Sequence, residues 1–288
     1  MDGYGIVAAF LFMLIGAVDV TLAKYIVRRF GRYRYTVAII GIGILPMVAY
    51  SIAVGSGSIS SGAFWLSLAA GAITGVAYII YYKGLESEQI TNVAALTEVQ
   101  PAILFLFGVL ILGESITAIG IAGVIAIFLG ATLVMMKDDM KLNRLLLPII
   151  IANALWAAYW IVMNYAISTY GGYSLPLLIA RGVAFAMVAA YSVLFGKIEK
   201  GNVKAKAPLL ALVLAMFIIV SGLLDGATNI LFGVVIQSSI VAIGSAIYAI
   251  MPIVAAMLGR VVYRDGLGMA QKLGLVIAVA GAIAIVIG

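Results

Sequence analysis

The 288-residue chain contains no cysteine and no histidine. Without cysteine there is no disulfide framework, no thiolate metal site and no thiol nucleophile. Without histidine there is no imidazole ligand, no Ser-His-Asp triad and no imidazole proton relay, so carboxylates must carry any proton that moves through the protein. Charge is scarce as well. Only 10% of the residues are charged and 65% are apolar, against roughly 25% and 45–50% in a soluble domain. So few charges cannot cover a water-exposed surface. A soluble enzyme is excluded on that ground, and so is a nucleic-acid partner, despite the net charge of +6. No cofactor and no metal are expected. The start, Met1-Asp2-Gly3-Tyr4, has no basic segment before its apolar run, so that run reads as a retained membrane helix rather than a removable leader.

What is abundant is apolar sequence in runs of about 20 residues, the length a helix needs to cross a hydrocarbon core roughly 30 Å thick. Such runs fall at 4–24, 34–55, 62–83, 91–112, 117–136, 145–168, 173–196, 207–231, 238–260 and 268–288. The expected fold class is therefore an all-α integral membrane protein with ten transmembrane helices in the lipid bilayer. Of the 17 basic residues, 16 lie at odd-numbered loops: the cluster Lys24 to Arg34, then Lys83, Lys137 to Arg144, Lys197 to Lys206, and Arg260 to Lys272. The even-numbered loops carry none. The positive-inside rule then places the odd loops in the cytoplasm and both termini outside a cell membrane.

The chain also repeats itself. A shift of 151 residues superposes Gly71 on Gly222, Gly75 on Gly226, Pro101 on Pro252, Gly108 on Gly259, Gly130 on Gly281 and Glu114 on Asp265 without a gap. Earlier in the chain the offset is 140 to 141, pairing Tyr25 with Tyr165 and Gly41 with Gly182. Residues 1–140 and 141–288 thus form two halves of five spans each. An odd number of spans makes the halves enter the membrane with opposite orientation, a pattern characteristic of secondary transporters with a site between the halves.

The stretch from Pro101 through Gly108, Gly113, Glu114 and Thr117 to Gly123 and Gly130 resembles the fourth and fifth helices of the EamA-type transporters of the drug/metabolite superfamily. The segment from Pro252 to Gly281 is a weaker copy, with Asp265 in place of the family's Glu. Arg181 and Trp156 resemble family features of the seventh and sixth helices. The resemblance covers both halves. It implies two inverted five-helix repeats around a central cavity, alternating access and a small-molecule substrate. Ile40 stands where its copy has Arg181, although the family often has Arg in both places.

Four ionisable groups fall well inside spans: Asp19, Glu98, Arg181 and Asp225. Each costs about 2.5 kcal/mol or more to bury in a bilayer and is a functional candidate by default. None is duplicated by the repeat, because Asp19 aligns with Tyr159, Glu98 with Ala249, Arg181 with Ile40 and Asp225 with Thr74. Glu98 lies three residues before Pro101, which lacks the N–H that would hold the carbonyl of Thr97. Pro101 and Pro252 are the expected hinges. Arg181 either meets an anionic group of the substrate or neutralises Glu98 or Asp19. Glu98 and Asp225 are the candidates for proton coupling. Aromatic rings recur at one-face spacing: Trp156, Tyr159 and Trp160 in one helix, and Tyr78, Tyr81 and Tyr82 in another. Of these, Trp156, Tyr159 and Tyr78 are expected deepest, where rings attract ammonium groups. Glu114 and Asp265 read as helix-end anchors.

The expected function is secondary active transport of a small polar organic solute, an amino acid or related metabolite, with protons as a candidate coupling ion. Glu98, Arg181, Trp156, Tyr159, Tyr78 and Asp19 are the expected substrate ligands. The alternatives are a transporter of cationic drugs or quaternary ammonium compounds and, ranked lower because one arginine is few for a polyanion, a sugar-phosphate or nucleotide-sugar carrier. Monomer and dimer are both compatible with the sequence.

Overall fold

The structure, a computed structural model, describes residues 3–55, 57–87, 99–135, 147–170, 172, 174–195, 208–251, 253–255, 257–258 and 268–287. Its regular elements are all helical: α1 (Gly3–Phe30), α2 (Arg32–Ala53), α3 (Ser61–Ser87), α4 (Val99–Leu110), α5 (Ala118–Met135), α6 (Leu147–Tyr170), α7 (Ser174–Phe195), α8 (Pro208–Gln237), α9 (Val241–Tyr248) and α10 (Met269–Ile287). In lipid the backbone must satisfy its own hydrogen bonds, and a helix does so locally. Six of these helices carry a stretch long and apolar enough to cross a membrane, in α1, α2, α3, α6, α7 and α8. The described parts of α4, α5, α9 and α10 hold shorter apolar stretches. The chain is a multi-span membrane protein.

The first helix runs past its expected end at residue 24. The basic cluster at 24–34 is not an open loop. α1 continues to Phe30, and α2 begins at Arg32. Only Gly31 separates them, at φ 91°, in the left-handed region that glycine enters without strain. Hydropathy stops at the first charge, whereas the helical backbone continues past it.

Burial is distributed as lipid solvation demands. The outward faces of α1, α5 and α10 expose Leu11, Leu14, Ile121, Ile125, Leu129, Val276 and Ile283. The buried side chains include Ser67, Thr74, Asn153, Asn164, Ser221, Arg181 and Asp225. Helices approach each other at glycines, as small residues allow. A Cβ on Gly71 would come within 2.5 Å of the Ala180 carbonyl on α7. On Gly222 it would meet Ile42 on α2 at 2.6 Å, and on Gly226 it would overlap the Gly43 carbonyl of the same helix. Gly130 and Gly281 bring α5 and α10 together in the same way, each against a backbone carbonyl of the other helix.

The packing partners form a pattern. α3 packs on α6 and α7, while α8 packs on α1 and α2; α4 packs on α6, while α9 packs on α1. Advancing every helix by five positions turns the first member of each comparison into the second. The pairs α2·α7, α4·α9 and α5·α10 map onto themselves.

Glu114 lies in the connection between α4 and α5. Its Oε1 accepts the N–H of Val241 and its Oε2 the N–H of Ala242, both at 2.8 Å. These are the first two residues of α9, so the carboxylate takes two donors that a helix start leaves unsatisfied, at the end of the helix dipole that favours negative charge. Partial burial pushes the Glu114 carboxyl above its ordinary range, against the pull of the two N–H donors. The anchoring reading of Glu114 holds, and its target is a helix from the other half of the chain. Glu114→Ala is expected to lower stability by about 0.5–2 kcal/mol, the usual range for a lost cap, measured as thermal unfolding in detergent; Glu114→Gln, which keeps one acceptor, falls between the two.

Candidate functional site

A cavity of about 120 Å³ lies where α1, α3, α4, α6, α8 and α9 meet, large enough for several waters or a compact solute. α1 contributes Phe12, Gly16, Asp19 and Val20. α3 contributes Thr74, Tyr78 and Tyr81, and α4 contributes Gln100. α6 supplies Asn153, Trp156, Tyr159 and Trp160, and α8 supplies Asp225, Thr228 and Asn229. Tyr248, the last residue of α9, and Met251 just beyond it complete the wall.

One carboxylate in the wall is fully engaged. Arg181, on α7, is 3% exposed, and its Nη2 donates to Asp225 Oδ2 on α8. Its Nη1 donates to the Tyr78 hydroxyl at 2.8 Å, and that hydroxyl donates to Asp225 Oδ1 at 2.8 Å. Nε donates to the carbonyl of Ile40 and Nη2 to that of Ile39, both on α2 and each at 3.3 Å. A guanidinium offers five donors in a rigid fork, and four of its contacts are made here. Gly43 makes room for the pair, since a Cβ there would come within 2.6 Å of Arg181 Nη2 and 3.1 Å of Asp225 Oδ2. The Asp225 backbone carbonyl in turn accepts from Thr228 Oγ1 at 2.7 Å and Asn229 Nδ2 at 2.9 Å, and Tyr159 donates to Asn229 Oδ1 at 3.2 Å.

The other carboxylate is only partly engaged. Asp19 Oδ1 accepts from Ser221 Oγ, which also shares a 2.6 Å hydrogen bond with the Tyr35 hydroxyl. Asp19 Oδ2 makes no hydrogen bond among the described residues. With Arg181 and Asp225 cancelling each other, an ionised Asp19 leaves one uncompensated negative charge beside the cavity.

Aromatic rings close the cavity on the side toward α9. Phe12 meets Phe232 at 5.0 Å and Tyr248 at 4.6 Å between centroids, and Trp160 meets Phe232 at 4.4 Å and Tyr159 at 4.5 Å. Trp156 packs between Tyr78 and Tyr81, at 5.4 and 4.9 Å.

Of the residues expected to form the site, Asp19, Tyr78, Trp156, Tyr159 and Asp225 come together around this one cavity. Arg181 stands behind it, reaching the wall through Tyr78 and Asp225. Pro101 is buried in the first turn of the described part of α4. The regular part of α9 ends at Tyr248 in a turn over 249 and 250. Glu98, Pro252 and Asp265 lie outside the described residues. Thr74, Gln100, Asn153, Thr228 and Asn229 were not singled out from the sequence, because neutral polar side chains are unremarkable there. The repeat offsets carried a signal for some of them. Gly16/Trp156, Asp19/Tyr159 and Val20/Trp160 are each 140 apart, and Thr74/Asp225, Tyr78/Asn229 and Gln100/Met251 are each 151 apart, and all twelve line the cavity.

The model of the EamA-like transporter family matches the chain twice, over residues 3–136 and 144–287. The chain belongs to the EamA-like transporter family. Among solved structures, one crystal structure superposes on this EamA-like chain with a TM-score of 0.73, covering 99% of it and 96% of the other chain at 14% identity. That likeness is one of fold. No curated protein matches the sequence. Membership assigns the protein to membrane transport and not to catalysis, and among the described residues no three Asp or Glu side chains cluster as a metal site.

Proposed function

We propose that this EamA-like chain is a secondary transporter that moves a small polar organic solute carrying an amino group, an amino acid or a related metabolite, by alternating access. The observation that carries the reading is the free oxygen of Asp19 in a ring-lined cavity with no basic side chain in its wall, Arg181 behind it being already paired with Asp225. An ammonium group satisfies that oxygen by a charge-assisted hydrogen bond, and the rings around it favour a cation. A quaternary ammonium has no N–H to give Asp19, which ranks the cationic-drug reading second. Two inverted five-helix repeats, residues 1–140 and 141–288, and ten membrane spans are supported by the double family match and by the packing partners that map onto each other five helices on. Both termini on the outside remain the orientation favoured by the loop charges.

The same geometry supports a role for the proton. A proton that enters at Asp225 Oδ2 removes the negative charge holding Arg181. The guanidinium then turns to the carboxylate of the solute, and release of the solute returns Arg181 to Asp225 as the proton leaves. Arg181 meets an anionic end in this scheme by exchange rather than by standing open. Glu98 is a second candidate for the proton.

The test is binding to the purified protein, read by intrinsic fluorescence and thermal shift. Amino acids are expected to bind, and the same acids without the amino group to bind at least about tenfold more weakly; Asp19→Asn removes that difference, since a charged hydrogen bond supplies about that factor. Equal binding of both series by the wild type, or an unchanged preference in Asp19→Asn, overturns the reading.

A further inference from the structure

Hydrogen-bond accounting around the cavity leaves a small unused capacity. Both oxygens of Asp225 are taken, as are both ends of the Asn229 amide and the Thr228 hydroxyl. Thr74 and Gln100 differ. They are 5% and 4% exposed, they line the cavity, and their side chains make no hydrogen bond among the described residues. For Gln100 the lack is the larger, because a primary amide brings two donors and an acceptor. Buried polar groups are almost always bonded, and leaving one unmade costs the full desolvation of that group. The cavity is the space that remains for a partner.

The two faces of the cavity are unlike. Met251, the repeat mate of Gln100, also lines it. Gly16 and Val20 have Trp156 and Trp160 as their mates. One wall, from α1, α3 and α4, offers the free Asp19 oxygen, the Thr74 hydroxyl and the Gln100 amide beside Phe12, Tyr78 and Tyr81. The other offers two indole rings and a thioether beside Asn153, Tyr159, Thr228 and Asn229, with its acid, Asp225, paired to Arg181.

We propose that Gln100 is a specificity-determining ligand that binds the neutral hydrogen-bonding group of the solute, and that its mismatch with Met251 holds the solute in one orientation, apolar end against Trp156, Trp160 and Met251. The assignment rests on the amine reading of the cavity and adds the second polar contact to the one at Asp19.

The test uses two probes that share a phenyl ring and an ammonium group, phenylalaninamide and 2-phenylethylamine, and differ by one carboxamide. Two of the chain's three tryptophans line the cavity and Trp65 is largely exposed, so intrinsic fluorescence reports occupancy. The wild type is expected to bind phenylalaninamide about tenfold more tightly, the value of one or two well-made hydrogen bonds. Gln100→Met should bring the ratio close to one by weakening the amide alone. An unchanged ratio overturns the assignment. If the wild type binds neither probe, the amine reading fails, and Gln100 is judged by stability without solute. Loss of an unpartnered amide leaves Gln100→Met melting at or above the wild-type temperature, whereas a drop of several degrees shows a structural partner and overturns the proposal.

Discussion

Replacing Arg181 by leucine is expected to destabilise the protein by about 3–5 kcal/mol, because it leaves a carboxylate buried without its cation. The change removes the donor to Asp225 Oδ2, the donor to the Tyr78 hydroxyl and the two contacts to α2 carbonyls. Asp225 is 8% exposed, so solvent replaces few of these interactions. The cost belongs mainly to the orphaned charge and not to the ion pair as such. The double variant Arg181→Leu with Asp225→Leu is therefore expected to recover most of the lost stability while abolishing transport. Thermal unfolding in detergent of the two single variants and the double gives the coupling directly. An Arg181→Leu protein as stable as the wild type would show that the pair contributes nothing to the fold.

The second large effect lies at the crossing of α2 and α8. A leucine at Gly226 would place its Cβ on the Gly43 carbonyl, within 2.5 Å of Pro46 Cγ and within 2.9 Å of Gly43 Cα. Two of those three atoms are backbone, so the helices must separate. Overpacking of this kind costs about 1–3 kcal/mol or more, and here it also pulls Gly43 away from the Arg181–Asp225 pair. Even Gly226→Ala should destabilise, although alanine favours helix by about 1 kcal/mol. Gly182 supplies the control. It lies in α7, where a Cβ would meet nothing within 4 Å, so Gly182→Ala should stabilise by about 0.5–1 kcal/mol. The same substitution in two helices is thus expected to have opposite signs. Equal effects at both positions would mean that the close approach of α2 and α8 does not limit packing.

Legibility in the sequence followed energetic cost. Asp19 and Asp225 stood out because a carboxylate inside an apolar run is expensive and needs a reason. Tyr78, Trp156 and Tyr159 stood out by spacing on one helix face. Gln100, Thr74 and Asn229 did not, because neutral polar side chains are tolerated in membrane helices and gain meaning only when burial and missing partners are known. The Glu114 anchor was legible as a helix-end feature, but its target, the first turn of α9, is more than a hundred residues away in the chain.

The sequence by itself determined the medium and the internal repetition. Apolar runs of membrane length have few solutions in lipid, and the offsets of 140 and 151 pair glycine, proline and acidic positions early in the chain with like positions later in it. Which charges cancel was decided by tertiary structure alone. The sequence leaves Arg181 open between an anionic group of the substrate, Glu98 and Asp19; in the fold its partner is Asp225, brought to it where two glycines let α2 and α8 touch. Pairing inside a low-dielectric interior depends on distances of a few ångströms between helices, and no periodicity along a chain encodes those. The packing of α1 on α8 leaves Asp19 with one oxygen that no described residue claims, beside the cavity.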